Sequence, residues 1–97
     1  MESSGREGAS PRIRAVIRIH GLGRDRAEAL LAALRPDDRD APSWLSITER
    51  VEDGDLVVVV EVKGGPARLG SLRNTVDEIL VAAYALLRSI EEATKTL

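Results

Sequence analysis

Nine consecutive apolar residues, ILVAAYALL at positions 79–87, constrain this chain more than any other feature. The run is too short to cross a bilayer, which takes roughly 20 apolar residues. It is also more than one buried helical face needs, since such a face asks for an apolar residue only every third or fourth position. Leu72, Val76, Ile79, Ala83, Leu86, Ile90 and Ala93 repeat with 4-3-4-3 spacing, one stripe of a helix that starts near Ala67. Leu80, Tyr84 and Leu87 make a second stripe beside it, with Val81 further round. The first stripe asks for a sheet; the second asks for another cover.

The rest of the chain supplies the sheet. In RIRAVIRIH, residues 12–20, Ile13, Ala15, Ile17 and Ile19 alternate with Arg12, Arg14, Val16, Arg18 and His20, the period of a half-buried strand. Gly21-Leu22-Gly23 breaks it. Asp25 then reads as an N-cap with Glu28 three residues on. Ala27, Leu30, Leu31 and Leu34 follow on one helical face, and Pro36 ends that helix. PDDRDAPS is a loop. Leu45, Ile47 and Val51 alternate with Ser46, Thr48 and Arg50 as a second strand, and Asp53-Gly54 suits a two-residue hairpin turn. LVVVVEV, residues 56–62, is the third strand. Its Val57 and Val59 make the outer face apolar too, which a sheet with one solvated side does not require.

The order β-α-β-β-α predicts an α+β fold: a three-stranded antiparallel sheet with two helices packed on one face. Residues 1–11 read as a disordered tail and residues 12–97 as a single domain, with no internal repeat. The tail has no apolar run of the kind a signal peptide carries. The expectation is a cytoplasmic protein with no membrane segment.

At 97 residues the domain buries only about 60–65% of the surface its unfolded chain exposes, so association would stabilise it. With no Phe, one Trp and one Tyr, the core must be aliphatic. The absence of cysteine removes disulfides, thiol nucleophiles and thiolate metal sites together. A net charge of −2 gives no overall basic field.

Catalysis needs converging nucleophiles, acids or ligands, and few are present. His20 is the only histidine, at a strand end where solvation is the ordinary role. HGLGRD has a Gly-x-Gly between strand and helix but neither the third glycine of a dinucleotide fingerprint nor a P-loop Gly-Lys-Ser/Thr. Asp37, Asp38 and Asp40, and likewise Glu49, Glu52, Asp53 and Asp55, read as solvated loop and turn carboxylates. No catalytic, cofactor-binding or metal residue is assigned, and no small-molecule substrate is expected. Arg12, Arg14 and Arg18 share the outer face of the first strand, a spacing that could contact RNA phosphates. A stand-alone RNA-binding module using that strand is the alternative reading, although the aromatic stacking platforms of single-strand binders are missing.

Two surfaces are candidates for contacts. Either the first helix covers the second stripe completely, or Leu80, Tyr84 and Leu87 belong to an interface. Val16, Val57 and Val59, rimmed by Arg14, Arg18, Glu61 and Lys63, form the second candidate.

Several features together resemble the Pcc family, the small dimerising subunits of the KEOPS (also EKC) complex. They are Ala27 with Leu34-Arg35-Pro36 closing the first helix, the hairpin VEDGDLVVVVEV, and Leu72-Arg73 opening the last helix in SLRNTVDEILVAAYALL. The likeness spans roughly residues 13–91 and makes 12–97 a Pcc-like domain. Leu72, Arg73, Thr75, Val76 and Leu80 follow the family pattern. Asp77-Glu78 stands where Asn-Ser is usual, and Gly64-Gly65-Pro66-Ala67 replaces an Ala-x-Asp.

The resemblance implies a non-catalytic scaffold that dimerises and joins threonylcarbamoyl-transferase subunits for tRNA threonylcarbamoyladenosine modification. Carried onto this chain, it implies a transferase face of Leu31, Leu80, Tyr84, Leu87 and Arg88 and a homodimer contact of Val16, Val57 and Val59. The two assignments are interchangeable.

Overall fold

The computed structural model describes residues 11–34 and 41–95. Residues 1–10 of the expected tail and the loop carboxylates Asp37, Asp38 and Asp40 lie outside the described residues, whereas Pro11, expected to be the last residue of the tail, is described.

The period-two segments form strands β1 (Arg12–Ile19), β2 (Leu45–Glu52) and β3 (Asp55–Lys63). They pair antiparallel in the order β1-β3-β2, so the valine-rich strand is central. Asp53 (φ 54°) and Gly54 (φ 79°) both take positive φ, as a type I′ turn between β2 and β3 requires. β1 is tied to the far end of β3 by Pro11, whose carbonyl accepts from the N–H groups of Gly64 (3.1 Å) and Gly65 (3.3 Å).

Helices α1 (Arg24–Leu34) and α2 (Leu69–Lys95) cover one face of the sheet. α1 lies on β2 and β3, α2 lies on β1 and β3, and the helices touch each other. The core is Leu30 from α1, Leu56, Val58, Val60 and Val62 from β3, and Leu72 and Ala83 from α2. The architecture expected from the sequence is the one observed.

Three local expectations need correction. α1 begins at Arg24, with Gly23 in the capping position: the Ala27 N–H donates to the Gly23 carbonyl at 2.9 Å. Asp25 sits inside the first turn instead, where a negative charge suits the helix dipole. Glu28 pairs with Arg24 (3.2 Å) rather than closing a capping box. The last helix starts at Leu69, not Ala67, because a 3-10 turn over Gly65–Arg68 precedes it, entered through Gly64 at φ 113° and containing Pro66. Glu49 is not a solvated turn residue either. It pairs with Val58 on the inner face and lines a hollow of about 30 Å³ with Leu34, Ile47 and Ile79. That is room for no more than a water or two.

Candidate interaction surfaces

α2 is 27 residues, about 40 Å, longer than the roughly 30 Å of the strands it crosses. Its stripe of Leu72, Val76, Ile79, Ala83 and Leu86 packs toward the sheet. Leu80, Val81 and Tyr84 face outward, 44%, 71% and 65% exposed. The second stripe is therefore divided. Leu87 and Leu31 are half-buried and packed against the core, at the side where α1 lies. Leu80, Tyr84 and Arg88 remain accessible. The Arg88 guanidinium lies 5.9 Å from the Tyr84 ring, and its Nη1 donates weakly to the Tyr84 hydroxyl at 3.4 Å. Arg26 on α1 meets Glu91 on α2 at 3.5 Å, which pins the two helices at their shared border.

The outer face of the sheet behaves differently. Val16 is 60% exposed, whereas Val57 is 1% exposed and Val59 half-buried. Val57 is thus not an accessible contact residue on this chain, contrary to the expected three-valine island. The register gives the reason: Val57 stands between Arg18 of β1 and Arg50 of β2, and Val59 between Val16 and Thr48. Long arginine stems lie along apolar neighbours while their heads stay in water.

Those heads are held in place. Arg18 donates from Nε to Asp55 Oδ2 (3.0 Å) and from Nη1 to Glu52 Oε1 (2.8 Å), and Arg50 meets Glu52 at 3.7 Å. Asp55 also accepts from the Gly21 N–H at 3.0 Å and lies 3.1 Å from His20 Nδ1. The Gly21 N–H, then Arg18, holds the Asp55 carboxyl below its ordinary range. Arg18, then the charge of Arg50, does the same for Glu52, and both carboxylates push the Arg18 guanidinium further up.

The remaining expected phosphate contacts are held more loosely, sharing one carboxylate and staying mostly exposed. Arg12 and Arg14 both reach Glu61, at 4.0 and 3.5 Å. Each arginine of the β1 stripe therefore meets a carboxylate of its own sheet. His20 has a carboxylate partner but stays mostly exposed. Among the described residues no group of three or more His, Asp or Glu side chains could hold a metal ion, and no helix is long and apolar enough to cross a membrane.

Two features were missed in the sequence. Val81 is the most exposed large apolar residue of the run, and only its position outside both stripes signalled it. Arg68 stacks over Trp44, its guanidinium carbon 3.9 Å from the ring centroid, closing the entrance to β2 against the 3-10 turn. No spacing rule links residues that far apart in the chain.

No family model, no curated protein and no solved structure matches this chain.

Proposed function

We propose that this protein is a non-catalytic scaffold subunit of a tRNA-modifying assembly of the KEOPS kind, joining threonylcarbamoyl-transferase subunits through protein contacts in the cytoplasm. One observation carries the reading: Leu80, Val81 and Tyr84 stand together in solvent on the outward face of a long helix. Leaving such residues in water forgoes roughly 1.5–3 kcal/mol of burial each. A contiguous group of them marks a contact surface. The Pcc-family resemblance of the hairpin and last helix adds the kind of assembly. The RNA-binding alternative loses support, because Arg12, Arg14 and Arg18 are each engaged by a carboxylate.

Light-scattering mass is the test, for the protein alone and then mixed with the transferase subunit of the same organism. A self-associated species that takes up transferase chains is the expected result. A mixture whose components keep their separate masses overturns the reading.

A further inference from the structure

Charge is unevenly laid on the outer face of the sheet. Strand register sets Arg12 beside Lys63, and Arg14 beside Glu61 and Ser46. Val16 then lies beside Val59 and Thr48, and Arg18 beside Val57 and Arg50. Toward the hairpin the charges balance, because Glu52 and Asp55 answer Arg18 and Arg50. Toward the other end they do not. Arg12 and Arg14 share the single carboxylate of Glu61, and both stay mostly exposed. Arg68 joins them from the 3-10 turn, its stem close against Gly64 and its head over Trp44. Among the described residues Lys63 and Arg68 make no ion pair. Four cations around one anion run against the sign of a chain whose net charge is −2. Next to this patch lies Val16, the large apolar residue that the sheet leaves open.

We propose that this end of the sheet docks a short acidic segment of a partner protein, extended along β1. Two of its carboxylates lie over Arg12 and Arg14, and an apolar side chain rests on Val16 and Val59. The spacing asks for that order. Alternate residues of β1 stand about 7 Å apart on one face, and those of an extended segment repeat at the same interval. The pattern that fits is acidic-x-acidic-x-apolar, with Lys63 and Arg68 adding positive charge at its acidic end.

Two other occupants fit less well. Nucleic acid matches the cations only: Val16 offers nothing to a phosphodiester chain, and Trp44, the ring that could stack a base, is capped by Arg68 at 3.9 Å. A second copy laid on this face brings the same positive excess against it. The inference goes beyond the scaffold reading and does not rest on it. It uses the sheet and leaves the outward face of α2 to the transferase.

Three labelled probes test it against the full chain by fluorescence anisotropy. One is a synthetic peptide with Glu-Ser-Glu-Ser-Leu between Gly-Ser flanks, the second has serine for the leucine, and the third is an oligouridylate of matching charge. The leucine peptide should bind with a Kd on the order of 10–100 µM at low salt, weakening as salt rises. The other two probes should bind at least about threefold more weakly. Arg14→Glu and Lys63→Glu should each weaken the leucine peptide about tenfold, with unchanged circular dichroism, since both positions are exposed. Arg24→Glu makes the same change of net charge at an exposed position on α1 and should leave binding as it was. Val16→Ser should remove the advantage of the leucine.

No binding at millimolar peptide overturns the proposal. So does Arg24→Glu weakening as strongly as Arg14→Glu, or leucine and serine peptides that bind equally, since either shows only diffuse charge attraction. An oligouridylate that binds more tightly than the peptides overturns it in favour of nucleic acid. The transferase keeps the two readings apart. A chain that follows these rules yet ignores the transferase supports the sheet site and removes the scaffold reading. A chain that takes up transferase but no peptide does the reverse.

Discussion

The outer face of the sheet and the outer face of α2 are made of similar ingredients: a few valines, arginines on either side, carboxylates within reach. They end in opposite states. On the sheet, Val57 is buried by the chain itself; on the helix, Val81 and Tyr84 stay open. Geometry accounts for the difference. A central strand has neighbours on both sides about 4.8 Å away, so side chains from β1 and β2 lie directly over β3. Arg18 and Arg50 do this for Val57, and Glu52 and Asp55 hold the Arg18 head down. The outward side of a helix has no such neighbours. Its own residues three or four positions away project outward beside each other, so among the described residues nothing covers the centre.

The same substitution on each face tests this contrast most directly. Val57→Ala removes two methyl groups from a closed site and should cost about 2 kcal/mol. Val81→Ala removes them from water at a helical position that favours alanine, and should change stability by no more than about 0.5 kcal/mol. Urea unfolding below the concentrations at which the chain self-associates reads both. Equal costs would mean that the two faces are covered alike and that the comparison is mistaken.

The contrast also separates what the sequence showed from what it hid. Alternation in residues 12–20 and 56–62 was enough to set the faces of β1 and β3, and Asp53-Gly54 was enough to set the hairpin, because both follow from local geometry. The cap of α1 was harder to read: Gly23 and Asp25 both suit a cap, and nothing local chose between them. The start of α2 was ambiguous for a related reason, since Pro66 fits the first turn of either helix type. Glu49 shares the alternation of Leu45, Ile47 and Val51, so its inward position was visible but outweighed by the nearby turn carboxylates. The burial of Val57 was not visible at all. It depends on Arg18, brought alongside only by strand register. The openness of Tyr84 likewise required knowing that α1 lies on the Leu31 and Leu87 side of α2.

A smaller effect should separate the two parts of the sheet's cover. Arg18→Met keeps an apolar stem over Val57 and loses only the exposed ion pairs, which are worth little. Arg18→Ala loses both and exposes Val57 as well. The alanine variant should therefore be less stable than the methionine variant by about 1 kcal/mol. Equal stabilities would assign the cover to Arg50 alone.

The smallest effect is on acid sensitivity, and its sign follows from the carboxylates. Asp55 and Glu52 titrate lower in the folded chain than their ordinary values of 3.8 and 4.5. A depressed carboxylate contributes stability that is fully present above its unfolded value and is lost as pH falls through the folded one. Arg18, raised further above its ordinary value, contributes nothing that changes in this range. Stability should thus fall as pH drops below about 4.5, and Asp55→Asn should make that fall shallower. Val81→Ala, on the outward face of α2, should leave its steepness unchanged. Urea midpoints between about pH 2 and about pH 5 measure both. If Asp55→Asn left the pH dependence as steep as in the wild type, the carboxylates around Arg18 would be only loosely held. The closure of Val57 would then rest on arginine stems packing without anchored heads.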